Sequence, residues 1–79
     1  MTVQLLFFGA TADITGEREI DFSIKKNSRA SQTFSEIVER FPGLAQHKLL
    51  FSINQEYAEG HETLHDGDEL AIFTAVSGG

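Results

Sequence analysis

Apolar residues recur along this chain in three different rhythms. Val3 to Phe8 is almost continuously apolar, with Gln4 its only polar member. Such a run, rich in Val, Leu and Phe, predicts a strand buried on both faces near the centre of a sheet. Glu17 to Ile24 instead alternates, with Ile20, Phe22 and Ile24 on one side and Glu19, Asp21 and Ser23 on the other. That period of two predicts a strand with one face in a core and one in water. Phe34, Ile37, Val38 and Phe41 then fall at i, i+3, i+4 and i+7. They predict a helix from Ser31, capped by Ser28 or Ser31 and ended by Pro42-Gly43, that lays one apolar stripe on the sheet.

The connections follow from the turn residues. Gly9 to Gly16 has room for one helical turn or a loop, with Gly16 suited to a left-handed stop. Lys25 to Ala30 has no apolar period and reads as a loop. Leu49 to Ile53 predicts a third strand, and Asn54-Gln55 a tight turn into a short strand around Glu56-Tyr57-Ala58. Glu59 to His65 is a polar connection with one apolar anchor, Leu64. Asp66-Gly67-Asp68 marks a turn into a last strand, Glu69 to Phe73. The order strand, strand, helix, strand, short strand, strand, with a right-handed crossover, places the first and last strands centrally and parallel. The expected fold is α+β: a ubiquitin-like β-grasp, with a mixed sheet of about five strands, one main helix on one face and a C-terminal Gly-Gly tail. The expected organisation is one domain over residues 1–74 and a functional tail over residues 75–79.

Charge and composition narrow the function. Six basic residues against twelve acidic ones give a formal net charge of −6, the opposite of the basic footprint that nucleic acid or an anionic membrane requires. No apolar run approaches the ~20 residues of a membrane helix, and Met1-Thr2-Val3-Gln4 lacks the basic region of a signal peptide. A cytoplasmic location is expected. With no cysteine, disulfides and thiolate zinc sites are excluded, and any sulfur chemistry uses sulfur brought from outside.

Two patterns compete for chemistry. His61-Glu62-Thr63-Leu64-His65 matches the H-E-x-x-H zinc-protease spacing, which works only on a helix that puts both histidines on one face. Gly60 before it, Thr63 within it and the Asp66-Gly67-Asp68 turn after it argue for a loop, and no metal site is expected. The other pattern is the ending Ala75-Val76-Ser77-Gly78-Gly79. Two glycines leave no Cβ near the Gly79 carboxylate, so the tail can enter a narrow channel and approach a nucleotide closely. Five extended residues span at most ~17 Å. A carboxylate is a poor electrophile until joined to a phosphate leaving group, and such chemistry needs no acid or base from this domain. The aromatic residues are core by default. Strand parity singles out Phe8, Tyr57 and Phe73 as an alternative exposed patch beside the tail.

With the elements placed, the sequence resembles the family of molybdopterin synthase small subunits nearly end to end. The resemblance lies in Leu5-Leu6-Phe7-Phe8-Gly9-Ala10, Phe41-Pro42-Gly43-Leu44, Ile53-Asn54-Gln55, Leu64-His65-Asp66-Gly67-Asp68-Glu69 and Val76-Ser77-Gly78-Gly79. It implies a sulfur carrier that is a co-substrate, with no catalytic side chains and no cofactor bound by this chain. A ubiquitin-activator-like enzyme would use ATP to adenylate Gly79, and a persulfide donor would convert the adenylate to a thiocarboxylate. The tail would then deliver sulfur to a cyclic pyranopterin on the large catalytic subunit of a heterotetrameric synthase. Gly78 would give clearance, while Phe8, Tyr57, Phe73, Val76 and Ser77 would contact the partner. The sequence departs from the family in two places: Thr74 and Ala75 stand where prolines are common, which leaves the tail less stiff, and Ser31-Gln32-Thr33-Phe34 replaces the usual start of the main helix. A thiazole-pathway carrier, a ubiquitin-like modifier joined to lysines through Gly79, and an interaction domain with an inert tail are the competing readings.

Overall fold

Five strands form one mixed sheet in the computed structural model, which describes residues 1–75. The strands are β1 (Thr2–Phe7), β2 (Glu19–Ser23), β3 (Leu49–Ile53), β4 (Glu56–Tyr57) and β5 (Glu69–Thr74). Their order across the sheet is β2-β1-β5-β3-β4. The two most apolar strands, β1 and β5, are central and parallel, and every other pairing is antiparallel. A short helix α1 (Ala10–Thr15) follows β1 and stops at Gly16, whose φ of 73° is the left-handed cap expected there. The main helix α2 (Ala30–Arg40) packs on one face of the sheet.

The core lies between that face and α2. Val3, Leu5, Phe7, Leu70 and Ile72 from the central strands meet Phe34 and Ile37 from the helix. Phe34 stacks on Phe51 of β3 at 3.8 Å between ring centres, and Phe7 meets Phe41 edge-on at 5.4 Å. The edge-on Phe7–Phe41 pair suits the ring quadrupole, and the stacked Phe34–Phe51 pair contributes through the area it buries. Of the helical stripe read from the sequence, Phe34 and Ile37 are buried and Val38 and Phe41 partly buried, joined by the buried Ala30 and Thr33.

Three local features differ from the sequence reading. β1 ends at Phe7, so Phe8 lies outside the ladder and is exposed. α2 ends at Arg40, as Pro42-Gly43 predicts, but the chain then forms a 3₁₀ turn that the sequence reading lacks, η1 (Pro42–Gln46), which buries Leu44 completely. A Cβ on Gly43 would stand 2.9 Å from Ile14 Cγ2, so this glycine lets η1 close on α1. The third difference is the start of α2, where neither Ser28 nor Ser31 caps the helix. Ser28 Oγ donates instead to the Lys25 carbonyl at 2.6 Å, and the N-cap is Arg29.

The orphan N–H groups of α2 are met from a distant loop. Ala30 N–H donates to the Glu62 carbonyl at 2.8 Å and Ser31 N–H to the Gly60 carbonyl at 2.9 Å. Leu64 N–H returns a bond to the Ser28 carbonyl at 2.9 Å, and Arg29 bridges Thr63 in antiparallel fashion. Residues 60–64 are thus an extended strap across the helix N-terminus, satisfying donors that a side chain usually serves. The Glu62 carboxylate holds the strap's own turn, accepting the Glu59 and Gly60 N–H groups at 2.7 Å each. The Glu59 N–H lowers the Glu62 pKa most, with its own N–H, that of Gly60 and the charge of His61 adding and burial opposing. Because the folded value lies below the unfolded one, this carboxylate stabilises the fold above the unfolded value and stops doing so as pH falls through the folded value. Glu62→Gln is accordingly expected to melt below the parent at neutral pH, with the two melting curves converging on acidification.

The β3–β4 hairpin is locally strained. Asn54 and Gln55 both have positive φ, 49° and 73°, as a two-residue type I′ turn requires. Asn54 tolerates this and is also anchored, its Oδ1 accepting the Glu69 N–H and its Nδ2 donating to Asp68, both at 3.0 Å. Gln55 has no such compensation among the side-chain bonds of the described residues. Gln55→Gly is expected to raise stability by about 0.5–1 kcal/mol, the left-handed penalty outweighing the extra chain entropy of glycine. Urea unfolding measures it.

Candidate functional site

The sheet face opposite α2 is built by the same alternation that builds the core. Register places Asp21, Gln4 and Glu69 in one row across it, then Glu19, Leu6, Ala71, Ser52 and Tyr57 in the next. The following row pairs Phe73 with Leu50, and Phe8 comes directly after the end of β1. The face is thus graded from polar and acidic at one end to apolar at the other. The apolar end is where β5 finishes and the C-terminal segment leaves.

Phe8 is 52% exposed and Tyr57 72%, the two large apolar side chains most open to solvent among the described residues. Phe73 is half-buried between strands, its ring centre 6.0 Å from that of Tyr57. Tyr57 and Phe73 therefore share this face, and Phe8 is exposed just past the end of β1. Leu6 and Leu50, both partly exposed, belong with them. The sequence hides these two because an apolar residue in an apolar run looks like core; the sign that could have found them is their even spacing from Phe8 and Gln4 in β1 and from Ser52 in β3.

The point where the last strand ends is held firmly. Ala75 N–H donates to the Lys48 carbonyl at 2.9 Å, so hydrogen bonding to the β3 side runs one residue past Thr74. Val76, Ser77, Gly78 and Gly79 lie outside the described residues. Beneath the exit sits Thr11, fully buried. Its hydroxyl accepts the Phe8 N–H at 3.0 Å and donates to the Ile72 carbonyl at 2.6 Å. One side chain on α1 thereby closes the upper ends of both central strands, where β1 has left the ladder and two backbone groups would go unpaired. Thr11→Val leaves both buried without partners and is expected to cost about 2–3 kcal/mol, measured by urea unfolding. Thr11 reads in the sequence as an ordinary loop residue; both of its bonds depend on where β1 and β5 finish.

The other chemical candidate is dispersed by the fold. His61 to Leu64 belongs to the extended strap over α2 and His65 follows it, with both histidines exposed, and Thr63 is a bridge residue rather than a helical one. The two imidazoles thus do not share a helix face. Among the described residues no group of three or more His, Cys, Asp or Glu is arranged to hold a metal ion. None of the described helices is long and apolar enough to cross a membrane.

A helix gripped by a mixed sheet, with an apolar sheet face at the base of the C-terminal segment, defines a ubiquitin-like β-grasp protein. Comparison with known proteins makes this specific. Residues 5–79 match the ThiS family, and the chain belongs to that family. It is 39% identical to the human molybdopterin synthase sulfur carrier subunit, over 98% of this chain and 93% of the human protein. Among solved structures, SAMP1 from Haloferax volcanii superposes with a TM-score of 0.87 at 24% identity, covering both chains completely. A chain from the complex of subunits 1 and 2 of the molybdopterin-converting factor of Helicobacter pylori superposes at 0.72 with 21% identity, also over the whole of both chains. These two structural likenesses speak to the fold.

Proposed function

We propose that this protein is the sulfur-carrier subunit of a molybdopterin synthase, and that Gly79 carries the sulfur. The observation that supports this most is the 39% identity with the human carrier subunit over nearly the whole chain, within a family match that extends to Gly79. In this reading the Gly79 carboxylate attacks the α-phosphate of ATP on an activating enzyme, releasing pyrophosphate and forming an acyl-adenylate. A persulfide sulfur then displaces AMP at the acyl carbon, and thiol cleavage of the resulting acyl disulfide leaves the thiocarboxylate. The tail next enters the large catalytic subunit and gives its sulfur to a cyclic pyranopterin. In this reading Gly78 keeps side chains away from the reacting carbon, and Val76 and Ser77 contact the large subunit.

The large subunit docks on the graded sheet face, with Phe8, Phe73 and Tyr57 as aromatic anchors and Leu6 and Leu50 filling between them. Aromatic side chains near the centre of an interface carry much of its energy. The arrangement suits a carrier because anchors and tail start from one edge of the sheet, so seating the face also aims the tail. The domain contributes binding and positioning, and the enzymes that load and unload the tail supply acids, bases and nucleotide.

The test is an intact mass of the protein after co-expression with its activating enzyme and sulfur donor. Replacement of one oxygen of the Gly79 carboxylate by sulfur is expected. Isopeptide adducts to lysine without any such replacement would instead make the protein a modifier, and an unaltered mass beside active loading enzymes would make the tail inert.

A further inference from the structure

The two sides of the docking face differ in charge. Along the β2 edge, Glu19 and Asp21 stand in the outward rows beside Leu6 and Gln4. Just beyond them, a groove of about 720 Å³ at the end of β1 runs beneath Phe8 and is lined by Asp13 and Glu17 together with Glu19. Asp13, Glu17, Glu19 and Asp21 are all exposed. Arg18 is the basic residue on this groove, so carboxylates outnumber it and the edge is left net negative. On the opposite side, register puts Lys48 level with Ala75 at the exit of the tail. The polarity therefore runs across the face, acidic at β2 and basic at the start of β3, with the apolar rows between.

Resting on the reading that this face docks the large subunit, we infer that the partner surface is apolar at its centre and basic along the side that meets β2. Lysine or arginine side chains of the partner lie along the Asp13–Asp21 edge and reach into the groove under Phe8. Two facts select a basic protein surface as the occupant. The acidic edge is continuous with the exposed aromatic anchors, so whatever covers Phe8 also covers the groove mouth. An acidic or neutral partner would leave these carboxylates facing its own carboxylates or losing water without compensation. Exposed charges at an interface rim act mainly on the rate of encounter. The edge thus orients the carrier during approach, acidic side to basic side, before the apolar rows close.

The test is association kinetics of the full chain with the large subunit at low and at moderate salt. Glu19→Gln combined with Asp21→Asn is expected to slow association about five- to tenfold at low salt, to flatten its salt dependence and to leave dissociation nearly unchanged. A control pair on the exposed side of α2, Glu36→Gln with Glu39→Gln, removes the same charge and is expected to change association less than about twofold. Equal slowing by both pairs would reduce the effect to net charge and overturn the inference, as would no slowing by the β2-edge pair. Phe8→Ala in the same assay reports on docking itself: unchanged dissociation there would sink the docking reading. Faster dissociation in Phe8→Ala with charge-insensitive association would sink only the basic complement to the β2 edge. Circular dichroism of each variant shows that the exposed substitutions leave the fold intact.

Discussion

Leu64→Ala is expected to remove about 4 kcal/mol of stability, near the top of the range of about 2–5 kcal/mol for truncating a buried leucine, which combines lost transfer energy with the cavity left behind. Leu64 is 1% exposed and belongs to the main core cluster. The upper part of that range applies because of what Leu64 anchors. It is the apolar pin of the strap whose Gly60 and Glu62 carbonyls accept the first N–H groups of α2. Loosening it frees those carbonyls and returns the helix N-terminus to water. A domain of this size holds only about 4–12 kcal/mol in total, so the substitution removes from about a third to all of it. Equilibrium urea unfolding with a far-ultraviolet helix signal measures this. A loss below about 1.5 kcal/mol would show that the strap is dispensable and that α2 is held by its stripe alone.

The strap also shows where sequence reasoning reaches its limit. Everything governed by local periodicity is legible in the chain itself: the alternation in β2, the stripe of α2, the parallel central pair and the left-handed stop at Gly16. The start of α2 is not, because its cap is a backbone some thirty residues further along. Serines nearby in sequence look like caps whether or not distant carbonyls have taken the N–H groups. Thr11 is the same case, since its hydroxyl serves the ends of two strands that are far apart in the chain. Leu44 escapes notice because a five-residue 3₁₀ turn has no period to detect, and Pro42-Gly43 signals a stop in either event. On the docking face the aromatic residues stand out by parity, whereas Leu6 and Leu50 are hidden in runs that read as core. What is legible is local or periodic; what is not is a long-range hydrogen bond or an apolar side chain facing outward.

The separation between scaffold and tail is the claim on which the functional account turns. The described part of the domain closes its hydrogen bonding by Ala75, whose N–H is bound to Lys48. Among the described residues, no buried member of the core cluster comes later than Ile72. Gly79 is therefore expected to contribute nothing to folding and everything to transfer. The direct measurement is paired: single-turnover sulfur transfer to the pyranopterin on the large subunit, and urea unfolding, for the parent and for a variant lacking Gly79. The account predicts complete loss of transfer with an unfolding midpoint unchanged within error. Transfer that survives the deletion, or a domain that unfolds because of it, would contradict the account.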